Sequence, residues 1–367
     1  MNGVLGRIVA AGATVVLTCA ASVALADVTV QRHISVEGAG LMSAGNMSGT
    51  TKTTISGDRS RTDSDIQLQS RVVRMLAHRA VGPTAEIVRL DQDRIDRLDI
   101  SRKQYTETTF EEMKARLQKV MDRAQDGQSQ ENQKPMDDSK CEWLEPKVDV
   151  RRSGEKASYA GYEAERLTIV ASQPCKDKET GTICEVALAL DEWLAPKFVT
   201  TGEEDKFHRA YAQKTGLDLN SGGGFGGGDI NQRAQSMFGR YSGIWSQIVA
   251  KTKDIKGYPV KTTFAFAFGG EQCKSSRPSQ QQGDADDSGG GASGGLAGQV
   301  AGKLGSMFHR KKDDAPAATA TAAPTLPNGL VPLITMSSEL VSVSTDSVAA
   351  DTFEVPADFK KTERQGD

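Results

Sequence analysis

Apolar and polar residues alternate with a period of two along much of the chain, which is the pattern of β-strands that bury one face. The alternation starts at Val28 and Val30 and returns in a Thr-rich run at residues 48–55. Further strand-like runs cover residues 86–91, 94–100, 104–107, 147–152, 157–170, 183–193, 260–268 and 330–343. A turn is predicted at Gly154, between two of these runs. The pattern therefore predicts a meander of short strands joined by tight turns.

Helical periodicity interrupts the strand pattern in three places. Thr109 followed by Glu112 forms a capping box, and it predicts a helix over residues 110–124. A second helix is predicted at 203–215, where apolar residues share one face and a glycine follows. A third, with a broad apolar stripe, is predicted at 230–249.

Composition divides the chain into five segments. Residues 1–26 resemble a signal peptide, and residues 27–274 carry the strand and helix patterns of a folded domain. Residues 275–326 are rich in Gly, Ser, Ala, Thr and Pro, so they hold too little apolar surface to order themselves. Residues 327–361 carry a strand that completes the domain, and 362–367 form a tail.

The first segment has the tripartite form of a signal peptide. Arg7 supplies its positive end, the run 8–26 is uncharged, and Ala24 and Ala26 stand before Asp27 as the small residues of a cleavage site. An uncleaved membrane anchor is the alternative, but the run is broken by Gly and Thr and is only weakly hydrophobic. We therefore expect an exported protein, periplasmic or secreted, whose mature chain begins at Asp27.

Four cysteines remain after cleavage: Cys141, Cys175, Cys184 and Cys273. An even number in an oxidising compartment predicts two disulfides, with three possible connectivities. Cys175 and Cys184 flank a polar segment typical of a hairpin loop, which favours pairing them and leaves Cys141 for Cys273. A four-cysteine zinc site is disfavoured because no C-x-x-C spacing is present.

Charge and motif content exclude several classes of function. The formal net charge of −3 becomes −4 without Arg7, which argues against a nucleic-acid partner. The sequence contains no HExxH motif and no G-x-S-x-G nucleophile elbow, since the string GASGG at 291–295 falls in the Gly- and Ser-rich segment rather than between a strand and a helix. The glycine run 222–228 lacks the Gly-Lys-Ser/Thr ending of a phosphate loop. Glu163 and Glu165 are two apart, as on a solvated strand edge. We expect no catalytic site, metal or cofactor.

Several segments resemble a known superfamily. Residues 99–117, which read DISRKQYTETTFEEMKARL, resemble the strand and following helix of lipoprotein-carrier-like (LolA/LolB-like) proteins. Residues 159–167, 193–198 and 353–361 resemble later segments, in the same order, of an uncharacterised branch of exported bacterial proteins within that superfamily. The resemblance covers most of the mature chain except residues 275–326.

The resemblance implies a mainly β protein with helices, an α+β fold. Its expected architecture is a curved antiparallel half-barrel sheet with helices on the concave face. Related proteins hold acyl chains between sheet and helices, which requires an incompletely filled apolar interior. The residues expected to line it are Tyr241, Trp245, Phe264, Phe266 and Phe268. The alternative is that these side chains form an ordinary packed core.

The leading functional hypothesis is a non-enzymatic envelope protein that binds a lipid or other hydrophobic ligand. The second is a structural or interaction module with a solid core and an envelope protein as its partner. Residues 296–308, followed by basic residues at 309–312, could give at most peripheral membrane contact. A hydrolase with an unrecognised site is the third and weakest hypothesis.

Overall fold

A single large sheet dominates the computed structural model, which describes residues 27–39, 43, 45–76, 82–125, 141–199, 201–215, 244, 247–248, 250–251, 255–270, 326 and 329–363. Within these residues the sheet has thirteen strands. They are β1 (Val28–Gly38), β2 (Met47–Ser56), β3 (Arg59–Leu68), β4 (Thr84–Arg89), β5 (Arg94–Asp99), β6 (Gln104–Thr109), β7 (Cys141–Trp143), β8 (Lys147–Tyr159), β9 (Tyr162–Asp177), β10 (Ile183–Ala195), β11 (Tyr258–Gly269), β12 (Leu330–Ser344) and β13 (Lys360–Lys361). The α-helices whose full bounds lie in these residues are α1 (Arg71–Leu76), α2 (Phe110–Gln125) and α3 (Thr201–Thr215). The prediction of a mainly β protein with helices is confirmed.

The strands run in the order β13-β6-β5-β4-β3-β2-β1-β12-β11-β10-β9-β7, and β8 also pairs with β9. All pairs are antiparallel except the short parallel pair of β13 with β6. The sheet is open, because its two ends do not pair with each other within the described residues. The central strand β12 joins the meander β1–β6 to the strands β9–β11.

Helices α2 and α3 pack on one face of the meander, which we call the helix face. Phe110 of α2 and Phe207 of α3 are buried in one cluster with Ile55, Val88 and Ile95 of the sheet. The ring of Phe110 meets that of Tyr211 edge-on at 5.9 Å between centroids. The two helices therefore cover β2, β4 and β5 together.

The predicted capping box is confirmed at the start of α2. The backbone nitrogen of Glu112 donates to Oγ1 of Thr109 at 3.2 Å, and the backbone nitrogen of Thr109 donates to Oε2 of Glu112 at 3.0 Å. Both residues thereby satisfy amide groups that the first helical turn leaves without intrahelical partners.

Beyond β12, residues 345–361 form a strap that crosses the opposite face of the meander. We call that face of the sheet the strap face. Phe353 is 1% exposed and packs against Ala85, Ile87 and Leu98. The guanidinium of Arg89, itself buried, donates to the carbonyl of Phe353 and also pairs with Glu354. At its end the strap pairs with β6 as β13. Both faces of the meander are thus covered.

The predicted turn at Gly154 is wrong. Gly154 lies inside β8, where the register with β9 shifts between Arg152 and Lys156, so the glycine belongs to a β-bulge. The turn lies instead at Ala160 and Gly161, which have φ angles of 49° and 85°. Two positive φ angles form the tight hairpin turn that suits the twist of the strands.

The predicted pairing of Cys175 with Cys184 is also wrong. The structure has a disulfide between Cys141 and Cys175, with the Cα atoms 5.6 Å apart, and it ties β7 to β9. Cys184 is disulfide-bonded as well. Cys273, the partner predicted for Cys141, lies outside the described residues. The hairpin loop between Cys175 and Cys184 is confirmed, because β9 and β10 pair on either side of it.

Several other predictions fall on residues that the structure does not describe. They are the signal peptide with Ala24 and Ala26, and most of the segments 230–249 and 275–326. Ile244 and Ile248, both from the third predicted helix, are helical and buried. None of the helices in the described ranges has the length and apolar character needed to cross a bilayer.

Candidate functional site

The helix face continues without interruption from the meander onto strands β9–β12. Directly paired residues of neighbouring strands lie on the same face, and residues two apart on one strand do so too. Val28 of β1 pairs with Ile55, which lies beneath α2 and α3. Ile34, on the same side of β1, pairs with Ser338 of β12. The surface that β9–β12 present on this face therefore adjoins the helices.

On β9–β12 this face consists of parallel rows of large apolar side chains, which we call the apolar face. Leu190 of β10 pairs with Phe264, and Leu188 pairs with Phe266. The apolar face is made of Ile169 and Ala171 of β9, Val186, Leu188 and Leu190 of β10, Phe264, Phe266 and Phe268 of β11, and Ile334 and Met336 of β12. It is covered in part by Ile244 and Ile248, which belong to the same cluster.

One row of this face is polar. Glu192 of β10 pairs with Thr262 of β11, and Thr262 pairs with Ser338 of β12. We call these three residues the polar row. They are 0%, 0% and 1% exposed, and they continue the alternation that places Leu190, Phe264 and Met336 in the next row. A carboxylate and two hydroxyl groups are thus buried at the border of the apolar face.

Arg32 links the polar row to a group of aromatic side chains. Its Nη1 donates to Oγ of Ser338 at 3.4 Å, and its Nη2 donates to the carbonyl of Pro259 at 2.9 Å. The same guanidinium lies 5.3 Å from the ring centroid of Tyr258, within the range of a cation–π contact. Tyr258 stacks on Phe198 at 3.6 Å between centroids. Arg32 is therefore held between the row and the aromatic rings.

Burial determines the protonation state of Tyr258 in the aromatic group. Burial raises the pKa of Tyr258 well above its usual range, and the neighbouring charge of Arg32 only partly opposes that shift. The hydroxyl of Tyr258 donates to Oε1 of Glu204 on α3 at 3.3 Å. Because the phenol stays protonated at neutral pH, it acts as a fixed hydrogen-bond donor that connects the sheet to α3.

The strap face of the same strands is built differently. Ala187, Ala189, Ala265 and Ala267 are completely buried there. Further along, Asp191 receives hydrogen bonds from Arg166, which raise the pKa of that guanidinium above its already high value. The two acidic neighbours Asp191 and Glu192 therefore face opposite sides of the sheet, and Arg166 stabilises the charge of Asp191.

The residues expected to line a ligand site are placed as follows. Phe264 and Phe266 are 2% and 7% exposed, and Phe268 is half-buried beside them. The three phenylalanines therefore do share one face, as their spacing predicts. Tyr241 and Trp245 lie outside the described residues. Glu163 and Glu165 are exposed on β9.

Sequence reasoning missed the polar row, although β10 itself was predicted. The signal was present in the alternation, since Val186, Leu188 and Leu190 lead to Glu192 at the next position of the same face. A charge at such a position breaks an otherwise apolar series. The partners Thr262 and Ser338 come from distant strands, and only their register shows that they join it.

The described part of the chain holds no group of three or more His, Cys, Asp or Glu side chains that could bind a metal ion. The arrangement on the helix face can instead bury apolar groups and form hydrogen bonds at one border. No protein-family model matches the chain, and no curated protein matches it.

Proposed function

We propose that this protein is an exported, non-enzymatic binding protein for a lipid or other hydrophobic ligand of the cell envelope. In this proposal the sheet is a half-barrel, and the helices lie on its concave face. The ligand would lie between the apolar face and the helical residues that contact it. The resemblance of several segments to lipoprotein-carrier-like proteins supports the same arrangement.

The observation that carries this proposal is the apolar face itself. It extends over four strands, and Phe264 and Phe266 lie at its centre. From Val186 to Glu192 the face is six residues long, or roughly 20 Å at the rise of an antiparallel strand. A ligand with a long apolar chain could therefore lie along one strand from end to end. The Cys141–Cys175 disulfide fits an oxidising compartment such as the periplasm.

A structural or interaction module with a solid core is the second candidate. The low exposure of Phe264 and Phe266 favours it, because both side chains already pack in a cluster with Ile244 and Ile248. The two candidates differ in whether a ligand can enter between these side chains without unfolding the protein.

The experiment that separates them is native mass spectrometry of the chain from Asp27 onward, purified from the periplasm of a bacterial host, followed by organic extraction. A co-purifying lipid, or binding of added dodecanol, supports the ligand-binding function. Phe266→Ala should then weaken binding. Phe353→Ala serves as a matched control, because it removes an equally large buried ring on the strap face. A ligand-free mass together with no binding of dodecanol would favour the solid core.

A further inference from the structure

Strand β8 is an edge of the sheet on the side that carries the apolar face. Its residues 147–152 pair with β9 in an unbroken register. In the part of the chain that the structure describes, no strand pairs with the other side of β8. The opposite end of the sheet differs, because there the strap covers β6 as β13. An open edge presents unpaired backbone amide and carbonyl groups, which a second strand can join.

The apolar face extends to this open edge. Val148 of β8 pairs with Ala171, and Val150 pairs with Ile169, so both valines lie on the helix face. They pack against the buried cluster of the apolar face but are themselves only half-buried. A strand added beyond β8 would bury them further, as it would continue the same rows of apolar side chains.

The opposite face of β8 carries two complementary charges. Asp149 and Arg151 lie on the strap face, with their side chains 53% and 79% exposed. Within one chain the two form an ion pair, 2.5 Å between Nε and Oδ2, and a pair so exposed contributes little to stability. An acid and a base two residues apart are self-complementary, because a second copy running antiparallel presents its base opposite the acid.

The regular part of the open edge is short and has definite ends. Pro146 precedes β8 and has no backbone N–H to add to a pairing. After Arg152 the register with β9 shifts until Lys156, and this bulge breaks the edge at its other end. A second strand therefore has residues 147–152 to pair with.

Charge selects one register for pairing β8 with its own copy. Three symmetric registers fit residues 147–152 closely, and they are centred on Asp149, Val150 or Arg151. A centre at Asp149 or at Arg151 opposes that residue to its own copy, and like charges directly opposite destabilise a sheet. A centre at Val150 opposes Asp149 of each copy to Arg151 of the other, which gives two pairs of opposite charge.

We propose that β8 is a dimerisation edge, which pairs antiparallel with β8 of a second copy about a twofold axis at Val150. Val150 then meets its own copy on the helix face, while the two pairs of Asp149 with Arg151 form on the strap face. The axis is perpendicular to the sheet, so the apolar faces of both copies lie on the same side and join. This association goes beyond the proposed ligand binding and does not depend on it.

Sedimentation equilibrium of the chain from Asp27 onward, at low ionic strength, tests this inference. We expect a dimer with a dissociation constant on the order of 10 μM, in keeping with a small interface. Asp149→Lys and Arg151→Glu should each weaken the dimer about tenfold or more, because two pairs of opposite charge become two pairs of like charge. The matched control is Glu163→Lys, which makes the same carboxylate-to-ammonium change at an exposed position of β9. It should leave the dissociation constant unchanged.

Mixing the two charge-reversal variants identifies the contact itself. In a mixed dimer each introduced lysine faces an introduced glutamate, and each remaining arginine faces a remaining aspartate. An equimolar mixture of Asp149→Lys and Arg151→Glu should therefore associate about as tightly as the unsubstituted protein. This recovery requires the two chains to meet at these residues, so a change in the stability of either variant cannot imitate it.

Three results would overturn the inference. The first is an unsubstituted protein that stays monomeric up to about 200 μM. The second is a dimer that neither charge reversal weakens, which would place the interface on another surface. The third is a mixture of the two variants that associates no more tightly than each variant alone.

Discussion

Cys175 and Cys184 occupy directly opposed positions on β9 and β10, but they are not bonded to each other. Cys175 forms its disulfide with Cys141 instead, and a cysteine sulfur takes part in a single disulfide bond. Cys141 lies diagonally across from Cys175, because its own register partner is Asp177. The Cα separation of 5.6 Å between Cys141 and Cys175 matches the common range for disulfides.

The first prediction concerns this disulfide. Tryptic digestion of the unreduced protein should release a linked pair of peptides containing Cys141 and Cys175. Lys176 and Lys178 lie between Cys175 and Cys184, so a bond between those two would give a different linked pair. Replacing Cys141 and Cys175 together by serine should cost about 4 kcal/mol in urea unfolding, because the closed loop has a sequence separation of 34. A peptide linking Cys175 to Cys184 would contradict the assignment.

The second prediction concerns the start of α2. Thr109→Ala removes the hydroxyl group that caps the amide of Glu112 and should lower the free energy of unfolding by about 1 kcal/mol. Thr109→Ser keeps the hydroxyl group and should lose much less. Urea unfolding of the three proteins measures this difference, and equal stability of the alanine and serine variants would show that the capping bond contributes nothing.

The third prediction concerns the strap. Phe353→Ala should destabilise the protein by about 3–5 kcal/mol, since the ring is completely buried between the strap and β4–β5. Amide hydrogen exchange should also accelerate over residues 350–361, because the ring of Phe353 holds this segment to the sheet. Val341→Ala changes an exposed side chain on β12 and should alter neither measurement. Slow exchange of 350–361 in Phe353→Ala would mean that the polar contacts of Arg89 suffice to hold the strap.

The fourth prediction concerns two aspartates of β5 with opposite pKa shifts. Burial raises the pKa of Asp96, and the nearby Arg94 only partly opposes this. The folded state therefore binds the Asp96 proton more tightly than the unfolded state, so ionised Asp96 lowers stability at neutral pH. Asp96→Asn should raise the melting temperature at pH 7 by about 2 °C or more. That gain should shrink as the pH falls toward the ordinary value of 3.8.

Asp99 on the same strand is the control with the reverse sign. Burial acts to raise its pKa, but hydrogen bonds from Ser101 and from the backbone nitrogen of Arg102 outweigh it and lower the pKa. Asp99→Asn should therefore lower the melting temperature at pH 7. The loss should disappear as the pH falls through the lowered pKa of Asp99. Thermal unfolding of both variants at several pH values measures the two trends, and the same sign for both would refute the electrostatic interpretation.

The elements that could be predicted from sequence are those with local signals. Helix α2 has a capping box, α3 has a one-sided apolar stripe, and β11 alternates between Phe and Ala. Strand β3 was not predicted, because its residues are mostly polar and its pairing depends on neighbours. Thr62 of β3, for example, lies 3.1 Å from Thr53 of β2 through their hydroxyl groups. Such a strand gains its stability from contacts that its own sequence does not contain.

The candidate site also combines features that a local sequence pattern shows with features that depend on the register of distant strands. The period of two places Phe264, Phe266 and Phe268 on one face from sequence alone. The meeting of Glu192 with Thr262 and Ser338 depends on the register of three strands, one of which lies beyond the low-complexity segment 275–326. Register is set by the whole sheet, so no local pattern could have shown that these side chains are neighbours.

The position of β12 has a consequence for how the chain reaches its native state. This strand stands between β1 and β11, yet it is the last long strand to be synthesised. A nascent chain that ends before residue 330 can form the hairpins on either side, but β1 and β11 then remain as open edges with unpaired backbone groups. Contacts of such large sequence separation form slowly. The exposed edges of the two half-sheets are therefore the surfaces that a chaperone would need to protect until β12 has paired with both.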